Sequence, residues 1–256
     1  VTARVLDGAL DLAVRRVRKP GGPLVTRRQL YYEVCRVLLP AHLAPARPRF
    51  TVPPPVAPAA FEEALHRRAA AVPGLVPPAP PSAHGPPGRN RPWAAAEADV
   101  LDYGLPRLLL VGDGDVAAML RANRWYLDAA CPVYTVGELA GLPGAEAIIA
   151  AVRTAGGTVS VLHDATRGGD GTADAARRLA GPRVRVRPLG LRPAQAAALH
   201  LVRLPGGDGC EAAAIPPARL LRGLHRMVTR PSPPASRPWR GWRAAARSGY
   251  LSWPAA

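Results

Sequence analysis

The stretch VTRRQLYYEVCR, residues 25–36, sets two adjacent tyrosines among three arginines. At about 100° per residue, a helix through it turns Tyr31 toward a core with Leu30, Val34 and Leu38, and swings Tyr32 round toward solvent. Arg28 and Arg36 then lie one turn before and one turn after Tyr32, at i−4 and i+4. Two guanidinium groups beside a phenol favour its phenolate and offer bidentate donors to a phosphate. That combination suits a tyrosine nucleophile attacking a phosphodiester; a half-exposed tyrosine stacked on arginine uses the same residues. Two later stretches, GDGD (112–115) and HDATRGGDG (163–171), combine carboxylates with glycines. Gly112-x-Gly114-x-x-Ala117 has the spacing of a dinucleotide loop between strand and helix, and Gly112, Gly114, Gly168 and Gly169 are the candidate cofactor-binding positions. Against a nucleotide, Asp113 and Asp115 put carboxylates beside a pyrophosphate, and no acid closes the next strand. Alternatively, Asp113 or Asp115 shares a Mg²⁺ with Asp164 and Asp170 through oxygen ligands. A helix N-cap at Asp115 and an Asx-type turn at Asp164 need no metal.

These residues need elements to position them. ARVLDGALDLAVRRVRK has apolar residues at roughly helical spacing until KPGG stops it. A second helix begins at Thr26, whose hydroxyl suits an N-cap, and ends by Pro40. Two helices joined by a Gly/Pro turn match a helix-turn-helix or winged-helix segment over residues 1–45, and an ordinary helical hairpin has the same pattern. Residues 46–92 are rich in proline, with one short helix in AFEEALHRRAAAV. So many missing N–H donors leave an extended linker or an irregular wrap.

Over 93–230 the pattern becomes regular. Strands at 107–112, 131–136, 158–164 and 183–190 alternate with helices at 115–125, 145–157, 172–181 and 193–202. This alternation predicts an α/β fold with a parallel sheet of about four strands and helices on both faces, of Toprim or Rossmann type. Working residues in such sheets sit at the strands' carboxyl ends, where GDGD and HDATRGGDG fall. The tail, 231–256, interleaves Trp239, Trp242, Tyr250 and Trp253 with arginines, a pattern that stacks on bases, lies at a membrane interface or packs on the domain.

The 256 residues carry 34 basic and 18 acidic side chains, a formal charge of +16. Such an excess points to a polyanionic partner. It is discounted by composition: Lys19 is the only lysine, and 31 prolines and 25 glycines accompany the arginines, as GC-rich codons would produce. Cys35, Cys131 and Cys210 are far apart and lack metal-site spacing, which suits a reducing cytoplasm. No apolar run approaches the ~20 residues of a membrane span, and no leader pattern opens the chain. The expected setting is cytoplasmic, with no membrane partner.

In order and content these pieces resemble the A subunit of topoisomerase VI and its meiotic double-strand-break relatives, which join a winged helix carrying a nucleophilic tyrosine to a Toprim domain. Arg28-Gln29-Leu30-Tyr31-Tyr32-Glu33 is similar to the family's signature, with the nucleophile on Tyr32. Where the family ends its first strand in glutamate this chain has Gly112, with Asp113 and Asp115 nearby. Asp164-Ala165-Thr166-Arg167-Gly168-Gly169 resembles the family's DxDPxG but puts Thr166 at the second aspartate, and Arg167 is placed to fill the vacated metal region.

The resemblance implies a divergent, nucleoid-associated protein binding double-stranded DNA through its N-terminal helices, with a homodimer and an ATPase partner subunit as the family's assembly. In a cleaving version Tyr32 forms a phosphotyrosyl link, Arg28 and Arg36 hold the phosphate, and Asp164 with Asp113 or Asp115 binds Mg²⁺. Loss of two of three metal carboxylates implies impaired cleavage. Two other readings stay open: a nucleotide- or small-ligand-binding α/β protein using the two glycine-rich loops, and a non-catalytic interaction module.

Overall fold

In the computed structural model, residues 2–18, 21–45, 47–68, 72–76, 105–207 and 209–230 are described. The N-terminal segment is helical: α1 Ala3–Val17, α2 Arg27–Leu38 and, within the proline-rich stretch, α3 Pro58–Arg67. Thr26 caps α2 as its sequence predicts. Its hydroxyl accepts from Gln29 N–H, and the Gln29 side chain accepts from Thr26 N–H in return, so two otherwise orphan donors are satisfied.

The rest is an α/β fold. Four strands, β1 Arg107–Val111, β2 Val133–Thr135, β3 Thr158–Leu162 and β4 Arg185–Gly190, pair in parallel in the order β2-β1-β3-β4. Between and after them run α4 Gly114–Ala122, α5 Trp125–Asp128, α6 Val136–Ala140, α7 Ala145–Thr154, α8 Gly169–Ala180, α9 Pro193–Ala198 and α10 Pro217–Thr229. The crossovers diverge at β1 and β3, so the carboxyl ends of those two strands flank the topological switch point.

Strand periodicity of two divides the sheet's contacts. Leu108, Leu110, Val159 and Val161 face a core with Ile149 and Val152 of α7 and Ala173 and Ala176 of α8. Leu109, Val111, Leu162 and Leu189 face the other way, into a larger core that includes Leu10 and Val14 of α1, Leu30 and Val34 of α2, Phe61 of α3 and Leu220 and Leu224 of α10. The helical segment and the sheet therefore share one continuous apolar core. Part of the proline-rich stretch is laid along the same body: Val52 N–H donates to Leu201 O at 2.9 Å, and Arg203 N–H donates to Val52 O at 2.8 Å. Residues 77–92, Trp93 and the tail 231–256 lie outside the described residues.

Some boundaries differ from the sequence pattern for physical reasons. α8 starts at Gly169, three residues before the expected 172, at a position where only glycine fits: a Cβ would lie 1.9 Å from the carbonyl oxygen of Asp164. α4 starts at Gly114 because its cap is Asp113, not Asp115. The Asp113 carboxylate accepts from Asp115 N–H at 2.7 Å and from Val116 N–H at 3.3 Å. α10 is an amphipathic helix with Leu220, Leu224 and Val228 buried at i, i+4 and i+8.

Candidate functional site

The structure brings together residues from three separate parts of the sequence. α2 carries Arg28 and Tyr32 to the carboxyl edge of the sheet, where Asp113 follows β1 and Asp164 follows β3. Glu211, which precedes a short 3₁₀ turn at Ala212–Ala214, completes the group.

Tyr32 is not presented to solvent. It is 1% exposed, and its hydroxyl donates to Glu211 Oε2 at 2.7 Å. The helical wheel gave α2 a single buried face, but α2 is wedged between α1 and the 3₁₀ turn and buries Gln29, Leu30, Tyr31, Tyr32, Val34, Cys35 and Arg36. Tyr31 is structural, as its position predicts: its hydroxyl donates to Val56 O at 2.8 Å and its ring meets Phe61 edge-on.

The two arginines separate. Arg28 reaches Glu211 Oε1 at 2.6 Å and Asp113 Oδ2 at 3.5 Å. Arg36, expected to flank a phosphate, is instead buried. It pairs with Glu33 at 2.7 Å and donates to Ala214 O at 2.6 Å, tying α2 to the 3₁₀ turn. Arg167 is exposed, so the cation beside the strand-end carboxylates is Arg28 and not Arg167.

The electrostatics reverse the expectation of an activated phenol. Burial, then the neighbouring Glu211 carboxylate, push the Tyr32 hydroxyl well above its ordinary range, and the opposing pull of Arg28 is smaller. Glu211 is itself raised above the usual carboxylate range, first by burial and then by Asp164 and Asp113. Asp164 is raised by burial and by Asp113, although Ala212 N–H donates to its Oδ1 at 2.7 Å. That bond joins residues 48 apart in the chain, so Asp164 anchors the 3₁₀ turn and does not form the local Asx turn. Asp115 is raised too, by burial and then by Asp113. Arg28 stays firmly cationic: burial works against its charge, but Glu211 and Asp113 outweigh it.

A Mg²⁺ centre requires carboxylate oxygens free to converge. Here one Asp113 oxygen caps α4, one Asp164 oxygen holds Ala212 N–H, and both Glu211 oxygens are engaged by Tyr32 and Arg28. Among the described residues, no three His, Cys, Asp or Glu side chains are grouped to hold a metal ion. The donor set with Arg28 against it does not fit the metal. The GDGD loop fits a pyrophosphate no better, because N–H groups at the start of α4 that would bind it are taken by Asp113. Gly114 and Gly168 have open space around them, Gly112 lies near Thr172, and Gly169 is required by packing; Asp170 is exposed in the first turn of α8.

Glu211 is the site residue that sequence reasoning missed. Its signal was present: a lone carboxylate in CEAAAI, where every neighbour is small or apolar, cannot be buried without a partner.

No protein-family model, curated protein or solved structure matches this chain. No helix among the described residues is long and apolar enough to cross a membrane.

Proposed function

We propose that this chain is a double-stranded-DNA-binding protein, resembling the topoisomerase VI A subunit in layout, in which Tyr32 does not cleave the strand. One observation carries this reading. The two halves of the resemblance, Tyr32 with Arg28 from α2 and the acidic strand ends from the sheet, meet in one place, but they are turned onto each other. A proton could pass from Tyr32 to Glu211 over the 2.7 Å bond, which is the geometry of a general base. Attack on phosphorus further requires the phosphate to reach a hydroxyl that is buried, and to do so past carboxylates that repel it. Arg28, the only cation among the described residues that is ion-paired into the group, is already held by Glu211 and Asp113.

The test is incubation of the full chain with supercoiled DNA and Mg²⁺ or Mn²⁺, followed by denaturant quenching. The expected result is salt-dependent retention of DNA without a covalent adduct. An adduct that disappears in Tyr32→Phe would overturn the non-cleaving part, and no DNA retention at low salt would overturn the whole reading.

A further inference from the structure

Two neighbouring arginines at the start of α2 are held in different ways. Arg27 faces Glu62 of α3 at 3.7 Å, and both side chains are about half exposed. A rim pair of that kind parts readily, because either side chain can swing into water. Arg28 is nearly as exposed, at 44%, but its partners are not: the Glu211 side chain, at 2.6 Å, is 6% exposed, and that of Asp113, at 3.5 Å, is 10% exposed.

Both partners are fixed from behind. The other Glu211 oxygen accepts from the buried Tyr32 hydroxyl at 2.7 Å. The segment that carries Glu211 is pinned on either side of it: Cys210 and Ala165 exchange backbone bonds at 2.8 and 3.0 Å, and Ala212 N–H donates to Asp164. Asp113 keeps Oδ1 on the first N–H groups of α4 and turns Oδ2 to Arg28. The guanidinium is therefore drawn inward by two carboxylates that cannot follow it out, although its side chain lies at the surface. Glu211 spans Arg28 and Tyr32 as two oxygens of a phosphate would, on donors of the kind that bind one.

Resting on the DNA-binding reading above, we infer that Glu211 and Asp113 make an autoinhibitory contact: they occupy Arg28 in place of a phosphate of the duplex and so withhold one backbone contact from it. Removing the charge from both carboxylates, with their shape and hydrogen bonds kept, releases Arg28 to the duplex. Glu211→Gln keeps an acceptor for Tyr32, and Asp113→Asn keeps a cap for α4.

The test is fluorescence anisotropy of the full chain with a labelled duplex over a salt series. Wild type is compared with Glu211→Gln/Asp113→Asn, with the same pair plus Arg28→Gln, and with Glu63→Gln/Glu146→Gln, which removes two negative charges at exposed positions. Melting curves confirm folding, and Glu211→Gln alone replaces the pair if the pair melts early. The released variant is expected to bind about three- to tenfold more tightly than wild type, with a salt slope steeper by about 1, as one added phosphate contact produces. Adding Arg28→Gln should abolish both changes, and Glu63→Gln/Glu146→Gln should keep the wild-type slope. If wild type binds and the released variant gains nothing, or its gain survives Arg28→Gln or is matched by Glu63→Gln/Glu146→Gln, the autoinhibitory contact falls and DNA binding stands. If neither wild type nor the released variant binds duplex, both fall.

Discussion

The two ends of one parallel sheet carry opposite charge. The carboxyl end gathers Asp113, Asp115, Asp164 and Glu211 around Arg28, and the amino end carries six arginines along two hollows, one of which also holds Asp128. The fold itself favours this division. Every helix that follows a strand in a parallel sheet starts at the carboxyl edge and returns toward the amino edge. Helix N–H groups therefore accumulate where Asp113 caps α4, and carbonyls accumulate at the other edge, where Arg187 donates to Met227 O. The difference lies in what each end does with its charge. At the carboxyl end, Tyr32, Arg28 and backbone N–H groups close on the carboxylates. At the amino end Arg187 and Arg107 turn to backbone carbonyls, those of Met227 and Ala129, and not to carboxylates.

Substitutions separate these ends. The largest effect is expected at Gly169, where any Cβ meets the Asp164 carbonyl: Gly169→Ala should cost about 3 kcal/mol or more in denaturant unfolding. Gly114→Ala, with open space around it, should be neutral or slightly stabilising in the same measurement. Glu211→Ala comes next, at about 2–4 kcal/mol, because the buried Tyr32 hydroxyl loses its acceptor. Tyr32→Phe should cost about 1–2 kcal/mol, with duplex affinity unchanged.

The carboxyl end also predicts a pH dependence. Glu211, Asp164 and Asp115 bind their protons more tightly folded than unfolded. Between the ordinary carboxylate pKa of about 4 and their raised values, the folded state holds more protons, so stability falls as pH rises through that window. Glu138, lowered by its bond to Arg121 once burial is overcome, acts in the other sense: its contribution is present above the unfolded carboxylate pKa and lost on acidification. Melting temperature should therefore rise as pH falls through the raised values toward about 4 and drop below about 4, and Glu211→Gln with Asp164→Asn should flatten the rise. The smallest effect is at the amino end: Arg185→Gln, at an exposed and like-charged position, should change stability by no more than about 0.5 kcal/mol.

The parallel fold was legible in the sequence because its signals are local. Apolar strands, intervening helices and the capping residue Thr26 all lie within a few positions of the features they determine. The site was half legible. Tyr32, Arg28, Asp113 and Asp164 could be chosen from residue type and spacing, since strand ends and helix faces position them. Tyr32's burial could not, because it depends on Glu211, 179 residues away, and on the 3₁₀ turn, whose place is fixed by the Asp164–Ala212 bond. The basic edge was written in RVRVR, but its hollows needed α10, and the amphipathic run that forms it is separated from the strands it covers by the whole α9 region. The arginine-and-tryptophan tail and residues 77–92 lie outside the described residues.

Arginine footprinting tests the contrast between the two ends most directly. The full chain is treated with phenylglyoxal, with and without saturating duplex, and modification is read peptide by peptide by mass spectrometry. The account predicts that Arg28, held by Glu211 and Asp113, reacts more slowly than the exposed Arg185 and that duplex leaves its reactivity unchanged. Arg28 reacting as fast as Arg185, or shielded by duplex, would contradict it.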